Sequence, residues 1–354
     1  MVQMSSFFKM LHERGGSDLH LCAGAVPMIR LHGTLQRVKH KPFDEEELKG
    51  LIYEIAPKQK IKEFEETGDV DFAYEVPGLA RYRVNFFRQH RGLGAVFREI
   101  PQQIQSLEHL GLPAQLADLA LLDKGIVIVT GPTGSGKSTT LAALVDHANE
   151  KRRDHILTIE DPIEFVHESR GCLVNQREVG RHTSHFKTAL RAALREDPDI
   201  ILVGEMRDYE TIALALEAAE TGHLVLSTLH TSSAIKTVDR IIDVFPEEMQ
   251  AQVRASFAES LQAVISQTLL RRADMEGRVA ALEILTGTPA VRNLIRKGEN
   301  HQLASVMQTG RHWGMQLLDE HLRSLLEQGV IDVETAQAHA RDKDKFKTAP
   351  DNGR

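Results

Sequence analysis

The chain reads as an α/β protein in two parts, a doubly wound, mostly parallel core preceded by a smaller α+β domain. Three observations predict this. From about Leu119 onward, short apolar and β-branched runs alternate with helix-compatible stretches. The first hundred residues instead carry short alternating runs around a few helices. Residues 131–138 then place a glycine-rich loop directly between an apolar run and a helix start.

Taken in order, Val2 to Arg14 predicts a helix that Gly15-Gly16 stops. Asp18 to Leu21, Met28 to Leu31 and Leu35 to Val38 predict short strands separated by Gly24, Pro27 and Gly33. Asp44-Glu45-Glu46-Glu47 supplies an N-cap acid and first-turn carboxylates for a second helix. Pro57 suits the first turn of the next, which ends at Gly68. Val70 to Val76, Ala80 to Phe87 and Gly92 to Ile100 predict three more strands. The whole is an α+β domain over residues 1–100 with an antiparallel sheet, in an order reminiscent of PAS-like folds. Residues 101–118 carry Pro101 and Pro113 and little strand pattern, which predicts a linker. In the core, over residues 119–342, Gly125 to Thr130, Ile156 to Glu160, Ile200 to Gly204 and Leu224 to Leu229 read as buried parallel strands with helices between. After Ser233 the pattern is mostly helical, apart from a strand at Val279 to Leu285. Residues 343–354 are charged and proline-bearing, and predict a disordered tail.

Composition narrows the class. The 354 residues suffice for two domains and a substantial core. A net charge of −7 argues against wholesale nucleic-acid binding. Two cysteines, Cys22 and Cys172, cannot build a four-cysteine zinc site or a disulfide framework, which fits a reducing cytoplasm. No apolar run approaches the roughly 18 residues of a membrane-spanning helix, so any membrane link is expected to run through a partner.

Residues Gly131-Pro132-Thr133-Gly134-Ser135-Gly136-Lys137-Ser138 fit the phosphate-binding pattern G-x-x-x-x-G-K-[ST], in the strand–loop–helix context that the pattern requires. The glycines let backbone N–H groups ring the phosphates, and the following helix adds its positive N-terminal end. Lys137 is placed to reach the β- and γ-phosphates, and the Ser138 hydroxyl to ligate Mg²⁺. Thr139 completes the nucleotide-contacting stretch. No Asn-Lys-x-Asp base-reading motif is present, so ATP is expected rather than GTP.

Three further constellations accompany the loop. Asp199 to Glu205 is an apolar strand ending in a carboxylate, the position that serves Mg²⁺ or its waters in phosphate-loop enzymes. Leu157 to Pro162 is a second strand ending in Glu160-Asp161, where a carboxylate can orient or deprotonate a water; on spacing alone Asp-Pro is equally a turn. His223 and His230 flank the strand between them. Among 17 histidines any one is more often structural, but His230 lies at the carboxyl end, where it can sense phosphate. The two are poor metal partners, because that strand holds them roughly 20 Å or more apart. Finally, Arg81, Arg83 and Asn85 alternate with Tyr82, Val84 and Phe86, and Arg88, Arg91 and Arg98 add basic character. The plain reading is a solvated sheet face or a nucleic-acid patch. The sharper one is arginine fingers that fork onto a γ-phosphate, which implies an oligomer.

Together these segments resemble the secretion ATPase superfamily of type II and type IV pilus systems. The loop with Thr139-Thr140, the acidic box Thr158 to Glu164, the Walker B segment Ile201 to Asp208 and the histidine box Thr221 to Thr231 occur in that family's order and at similar spacing, over nearly the whole chain. Ala290-Val291-Arg292-Asn293-Leu294-Ile295-Arg296 resembles a motif of the pilus-retraction branch, as do Gln308-Thr309-Gly310 and Gly314-Met315-Gln316. Leu317 stands where that branch has threonine. Extension and type II secretion ATPases usually carry an extra N-terminal domain and a four-cysteine zinc module, and neither is seen in this sequence.

The resemblance implies a RecA-like P-loop NTPase domain preceded by a PAS-like domain. It implies a cytoplasmic, ATP- and Mg²⁺-dependent homohexamer that meets the inner membrane through a pilus platform protein, with an accessory retraction ATPase as a further partner. By position, Arg83 and Arg98 match the family's phosphate-contacting arginines, and Arg81 is a weaker match. Glu205 matches the Walker B glutamate and Glu160 the acidic-box glutamate. The general base is open between them, with Glu160 favoured and Glu205 holding Mg²⁺ through water. His223 and His230 carry over as the histidine box, with His223 expected among the nucleotide-binding residues and His230 among the catalytic ones. Val291, Leu294 and Ile295 are expected to face inward, with Arg292, Asn293 and Arg296 exposed for coupling. The expected function is ATP-driven pilus retraction. The alternatives are accessory retraction, pilus extension, type II secretion, or a nucleotide-binding regulator with little turnover.

Overall fold

A computed structural model describes residues 3–31, 33–100 and 103–346. The chain divides into two compact units. The first runs to Gln103 and also takes in Pro162–Val166, and the second comprises the remainder from Ile104.

The first unit opens with α1 (Met4–Glu13), whose Met4, Phe7, Phe8 and Leu11 are buried at helical spacing. Then come β1 (Asp18–Cys22), β2 (Met28–Leu31), β3 (Thr34–Arg37), α2 (Glu45–Tyr53), α3 (Lys58–Thr67), β4 (Asp69–Val76), β5 (Ala80–Gln89) and β6 (Gly92–Ile100). Asp44 and Glu47 close a full capping box at the start of α2. Gly68 ends α3 in the left-handed conformation at φ 80°. The six strands form one antiparallel sheet in the order β3-β2-β1-β6-β5-β4. Period-two burial along β5 turns Tyr82, Val84 and Phe86 into the core, as the alternation predicts. There Phe8 stacks on Tyr82 with ring centroids 4.2 Å apart and meets Phe97 edge-on at 5.3 Å.

The second unit contains α4 (Gln115–Leu119), β7 (Gly125–Thr130), α5 (Lys137–Lys151), β8 (His155–Glu160), β9 (Leu173–Glu178), α6 (Phe186–Ala193), β10 (Ile200–Val203), α7 (Tyr209–Glu220) and β11 (Leu224–Leu229). It continues with α8 (Ala234–Asp243), α9 (Glu247–Ser260), β12 (Leu261–Arg271), β13 (Arg278–Thr286), α10 (Pro289–Lys297), α11 (Leu303–Thr309), α12 (Leu318–Glu327) and α13 (Val333–His339). Its sheet runs β13-β12-β7-β11-β10-β8-β9, parallel throughout except for the β12–β13 hairpin. Along β7, Ile126 and Ile128 enter one core while Val127 and Val129 enter the other. A strand buried on both faces has to be apolar at every position, which is why this run does not alternate.

The structure departs from the sequence expectations in four places. The stretch after α9, read as helix, is the long strand β12. It lies parallel to β7 and buries Ala263, Val264 and Ile265. Strand β9 was not expected, because its Leu173 and Asn175 are exposed and give no apolar run. The expected linker at 101–118 places Leu107, Leu112 and Leu116 in the second unit's core and includes α4 (Pro101 lies outside the described residues). The tail expected from Lys343 begins with an ordered turn, Lys343–Phe346, whose Phe346 is buried in a cluster with Leu322 and Ile331; residues 347–354 lie outside the described residues.

Phe8 is 1% exposed and packs against rings from two strands. Phe8→Ala is therefore expected to destabilise the first unit by about 3–5 kcal/mol. Chemical denaturation followed by tyrosine fluorescence measures this.

Candidate active site

In a sheet of parallel strands, ligands bind at the carboxyl edge. β7 ends there in Thr130 and the glycine loop, β8 in Glu160, β10 in Val203 before Gly204-Glu205, and β11 in Leu229 before His230. The registers place these ends side by side. Thr130 pairs with Leu229 across β7 and β11, and Val203 pairs with Ser227 and Ile159 across β11 and β8. Residues scattered over a hundred positions of sequence thus share one edge.

The loop is built as an anion cradle. Gly131, Gly134 and Gly136 all have positive φ. A Cβ on Gly131 would lie 2.2 Å from the Gln267 carbonyl oxygen and 2.6 Å from Ser135 Oγ, so only glycine fits there. Gly136 is the N-cap of α5 at φ 87°. Lys137, 8% exposed, donates from Nζ to the Gly131 and Pro132 carbonyls at 3.0 and 3.1 Å, folded back across its own loop. Ser135 Oγ is buried and, among the described residues, meets no hydrogen-bond partner. A buried hydroxyl without a partner is costly. One that lies in a glycine loop at the start of a helix fits a phosphate oxygen. Pro132, Thr133 and Gly134 are exposed at the loop's crest, and Ser138 and Thr139 are half-buried in the first turn of α5.

Around the cradle stands a charged cluster. His230 bridges it, with Nε2 3.4 Å from Glu205 Oε1 and Nδ1 3.4 Å from Lys137 Nζ. Arg207 Nη2 lies 2.8 Å from Glu205 Oε2. Burial pushes the Glu205 carboxyl up, but the Arg207 guanidinium and then His230 more than offset it, so it lies below its ordinary value. Glu160 Oε1 accepts from Thr158 Oγ1 at 2.7 Å and from Gln176 Nε2 at 3.1 Å. The fully buried Thr130 hydroxyl donates to the Leu229 carbonyl at 2.9 Å and accepts from Thr231 N–H at 3.0 Å, tying the histidine-bearing end of β11 to the phosphate strand.

The first unit carries a second charged array. Arg30, Asp18, Arg98 and Arg83 are consecutive cross-strand neighbours over β2, β1, β6 and β5, and so share one face. Arg98 Nε donates to Asp18 Oδ1 at 2.9 Å, and this pair with Ser17 draws the Asp18 carboxyl down against the burial that raises it. Arg83 stands directly opposite Arg98, and its nearest acid, Asp71, is 3.9 Å away. Like charges placed opposite each other are unfavourable unless an anion joins them. Arg81 is 3.8 Å from Glu75 and only 13% exposed.

Known proteins share this architecture. The profile of the type II/IV secretion system protein family matches residues 13–351. The chain is 56% identical to the type IV pilus retraction ATPase PilT of Pseudomonas aeruginosa, over 94% of this chain and 97% of that one. It is 53% identical to a twitching motility protein of Neisseria gonorrhoeae, over 92% and 87%. It superposes on a crystal structure of the pilus retraction motor PilT with bound ADP at a TM-score of 0.89, with 44% identity over 98% and 99% of the two chains. The chain belongs to the type II/IV secretion system protein family. This secretion ATPase is a P-loop enzyme that hydrolyses ATP.

Two expectations change on the structure of the secretion ATPase. His223 does not join the phosphate site. It precedes β11 at the opposite edge of the sheet, with Nδ1 2.9 Å from the Ala218 carbonyl at the end of α7. Arg292 is not a free coupling group. Its guanidinium donates to the carbonyls of Gly287 at 2.8 Å, Glu259 at 2.7 Å and Leu261 at 3.0 Å, which fixes α10 to the start of β12. Asn293 and Arg296 are exposed, while Val291, Leu294 and Ile295 face inward as expected. Sequence reasoning missed Arg207, which no loop pattern marks, and Gln267, a buried polar residue flanked by Ser266 and Thr268.

A carboxyl whose pKa is depressed contributes stability that is present above its ordinary pKa and lost as pH falls through the depressed value. Removing Arg207 leaves burial less opposed, so the Glu205 carboxyl rises. Arg207→Ala is expected to shift the acid limb of the kcat/KM pH profile to higher pH, leaving the alkaline limb in place. An unmoved acid limb would show that Glu205 does not set it.

Proposed function

We propose that this ATPase is the motor that retracts type IV pili, working as a homohexameric ring peripheral to the inner membrane and acting on a pilus platform protein. The observation that carries the reading is the continuous match, over nearly all of both chains, to a pilus retraction ATPase, together with the phosphate cradle and its charged cluster. Among the described residues no helix is long and apolar enough to cross a membrane, so a partner would provide the membrane link. PilU of Pseudomonas aeruginosa, 40% identical over 96% of this chain, is a pilus ATPase of related sequence, and a protein of that kind is the accessory partner we infer.

The residues take these roles. Lys137 binds the β- and γ-phosphates, moving from its carbonyl contacts onto the nucleotide. The backbone N–H groups of the loop between Gly131 and Ser138, Pro132 having none, bind the remaining phosphate oxygens. Ser138 and, through water, Glu205 would hold Mg²⁺, which supplies charge neutralisation on the phosphates. Glu205 suits that role because Arg207 and His230 stabilise its anion and so lower its basicity. Glu160 is left as the group that orients and deprotonates the attacking water. His230, between Glu205 and Lys137, links the two halves of the cluster. Arg83 and Arg98, with Arg81 beside them, are the phosphate-directed arginines of the first unit, and the placement of Arg83 directly opposite Arg98 on one face is what supports this. Asn293 and Arg296 couple turnover to the partner.

A strain lacking the gene is expected to carry abundant surface pili and to lose twitching. Bald cells would mean that the motor drives extension instead. Normal pili with normal movement would mean an accessory motor or another machine.

A further inference from the structure

Gln267 is a neutral amide buried inside a hydrophobic sheet, 3% exposed on β12. β12 runs parallel to β7, with Ser266 registered against Thr130, so Gln267 falls beside Gly131, the first loop residue. Its side chain makes two bonds to the loop and helix. Nε2 donates to the Ser135 carbonyl at 2.7 Å, and Oε1 accepts from Thr140 Oγ1 at 2.8 Å. Its backbone carbonyl is the atom that a Cβ on Gly131 would strike, and its Nε2 lies 2.9 Å from where a Cβ on Gly136 would stand. One residue therefore touches the first glycine, the last glycine, the serine between them and the helix that follows.

We propose that Gln267 is a positioning residue that sets the orientation of the phosphate loop's amides, resting on the assignment of that loop as the ATP site. The planar trans peptide supplies the mechanism. Carbonyl and amide point in opposite directions within the plane of a trans peptide, so holding the Ser135 carbonyl toward β12 turns the Gly136 N–H away from the strand and into the loop. An amide aimed there before nucleotide arrives costs no reorganisation on binding. The second bond, to Thr140, fixes the amide's flip and ties the same side chain to α5, so loop and helix are set by one template. Because the loop contacts phosphates in the ground state and in the transition state alike, losing this template should weaken binding more than it slows the chemical step.

The test is isothermal titration of the purified full-length chain with MgADP, for the parent, Gln267→Leu, Gln267→Glu and Thr140→Val, alongside steady-state ATP hydrolysis. Gln267→Leu keeps the volume and loses both bonds. Gln267→Glu keeps the acceptor for Thr140 and loses the donor to Ser135. Both are expected to raise the ADP Kd and the ATP KM tenfold or more, with kcat changed by less than threefold. Thr140→Val, which leaves the Ser135 bond in place, is expected to raise both only a few-fold. If Gln267→Leu fails to fold, the comparison of Gln267→Glu with Thr140→Val decides. Parent-like Kd and KM in folded Gln267 variants would overturn the proposal while leaving the ATP site intact. A parent chain that binds no ADP would instead overturn the assignment of the loop.

Discussion

The structure depends on one constraint, the need to present backbone amides to an anion from a loop at the carboxyl edge of a hydrophobic sheet. A loop of this shape requires positive φ at Gly131, Gly134 and Gly136, and left-handed backbone has no side chain to pack in its support. The support comes from the flanks instead. Thr130 holds the loop's entry to β11, and Gln267 holds its turn into α5. β12 is itself fixed at its other end, where Arg292 gathers the carbonyls that close α9 and open the strand. The fully buried strands on either side make this frame stiff, since a close-packed sheet moves as a body rather than residue by residue.

Charge is arranged in two blocks, one within each unit. In the second unit, Lys137, His230, Glu205 and Arg207 form a chain whose one carboxylate, Glu205, lies between Arg207 and His230. In the first unit, the row Arg30, Asp18, Arg98, Arg83 has three cations to one carboxylate. In the first block every charged side chain lies within 3.4 Å of another, which holds its members in place. In the second, Asp71 stands 3.9 Å from Arg83 at the end of the row, and arginines still outnumber carboxylates, which suits capture of an anion. Neither block changes the overall charge of −7, which is why net charge alone excluded bulk nucleic-acid binding and yet concealed a basic stripe.

Much of this was legible in the sequence because local rules and tertiary fate agreed. The strands Met28–Leu31 and Gly92–Ile100 fall where alternation and turn residues place them, and the phosphate loop announces itself by spacing. The misses have physical reasons. β12 follows α9 with no glycine or proline between them, and a doubly buried strand is as apolar as a buried helix, so periodicity cannot separate the two. His223 and His230 look symmetric along one strand, but a parallel sheet has a functional edge and a structural edge, and only topology says which is which. Arg292 reads as an exposed helix residue until the carbonyls of a distant helix end are brought to it. Gln267 sits between Ser266 and Thr268 and gives little signal of its own; its role appears only when β12 is laid beside β7.

The central claim is that the cradle at the sheet's carboxyl edge is a hydrolytic site rather than a static nucleotide clamp. The most direct measurement is steady-state phosphate release from MgATP by the purified chain beside Lys137→Ala, with circular dichroism on both. The account predicts sustained turnover by the parent, none above background by the variant, and matching spectra. Equal turnover by the two, or none by a well-folded parent that binds MgATP, would contradict it.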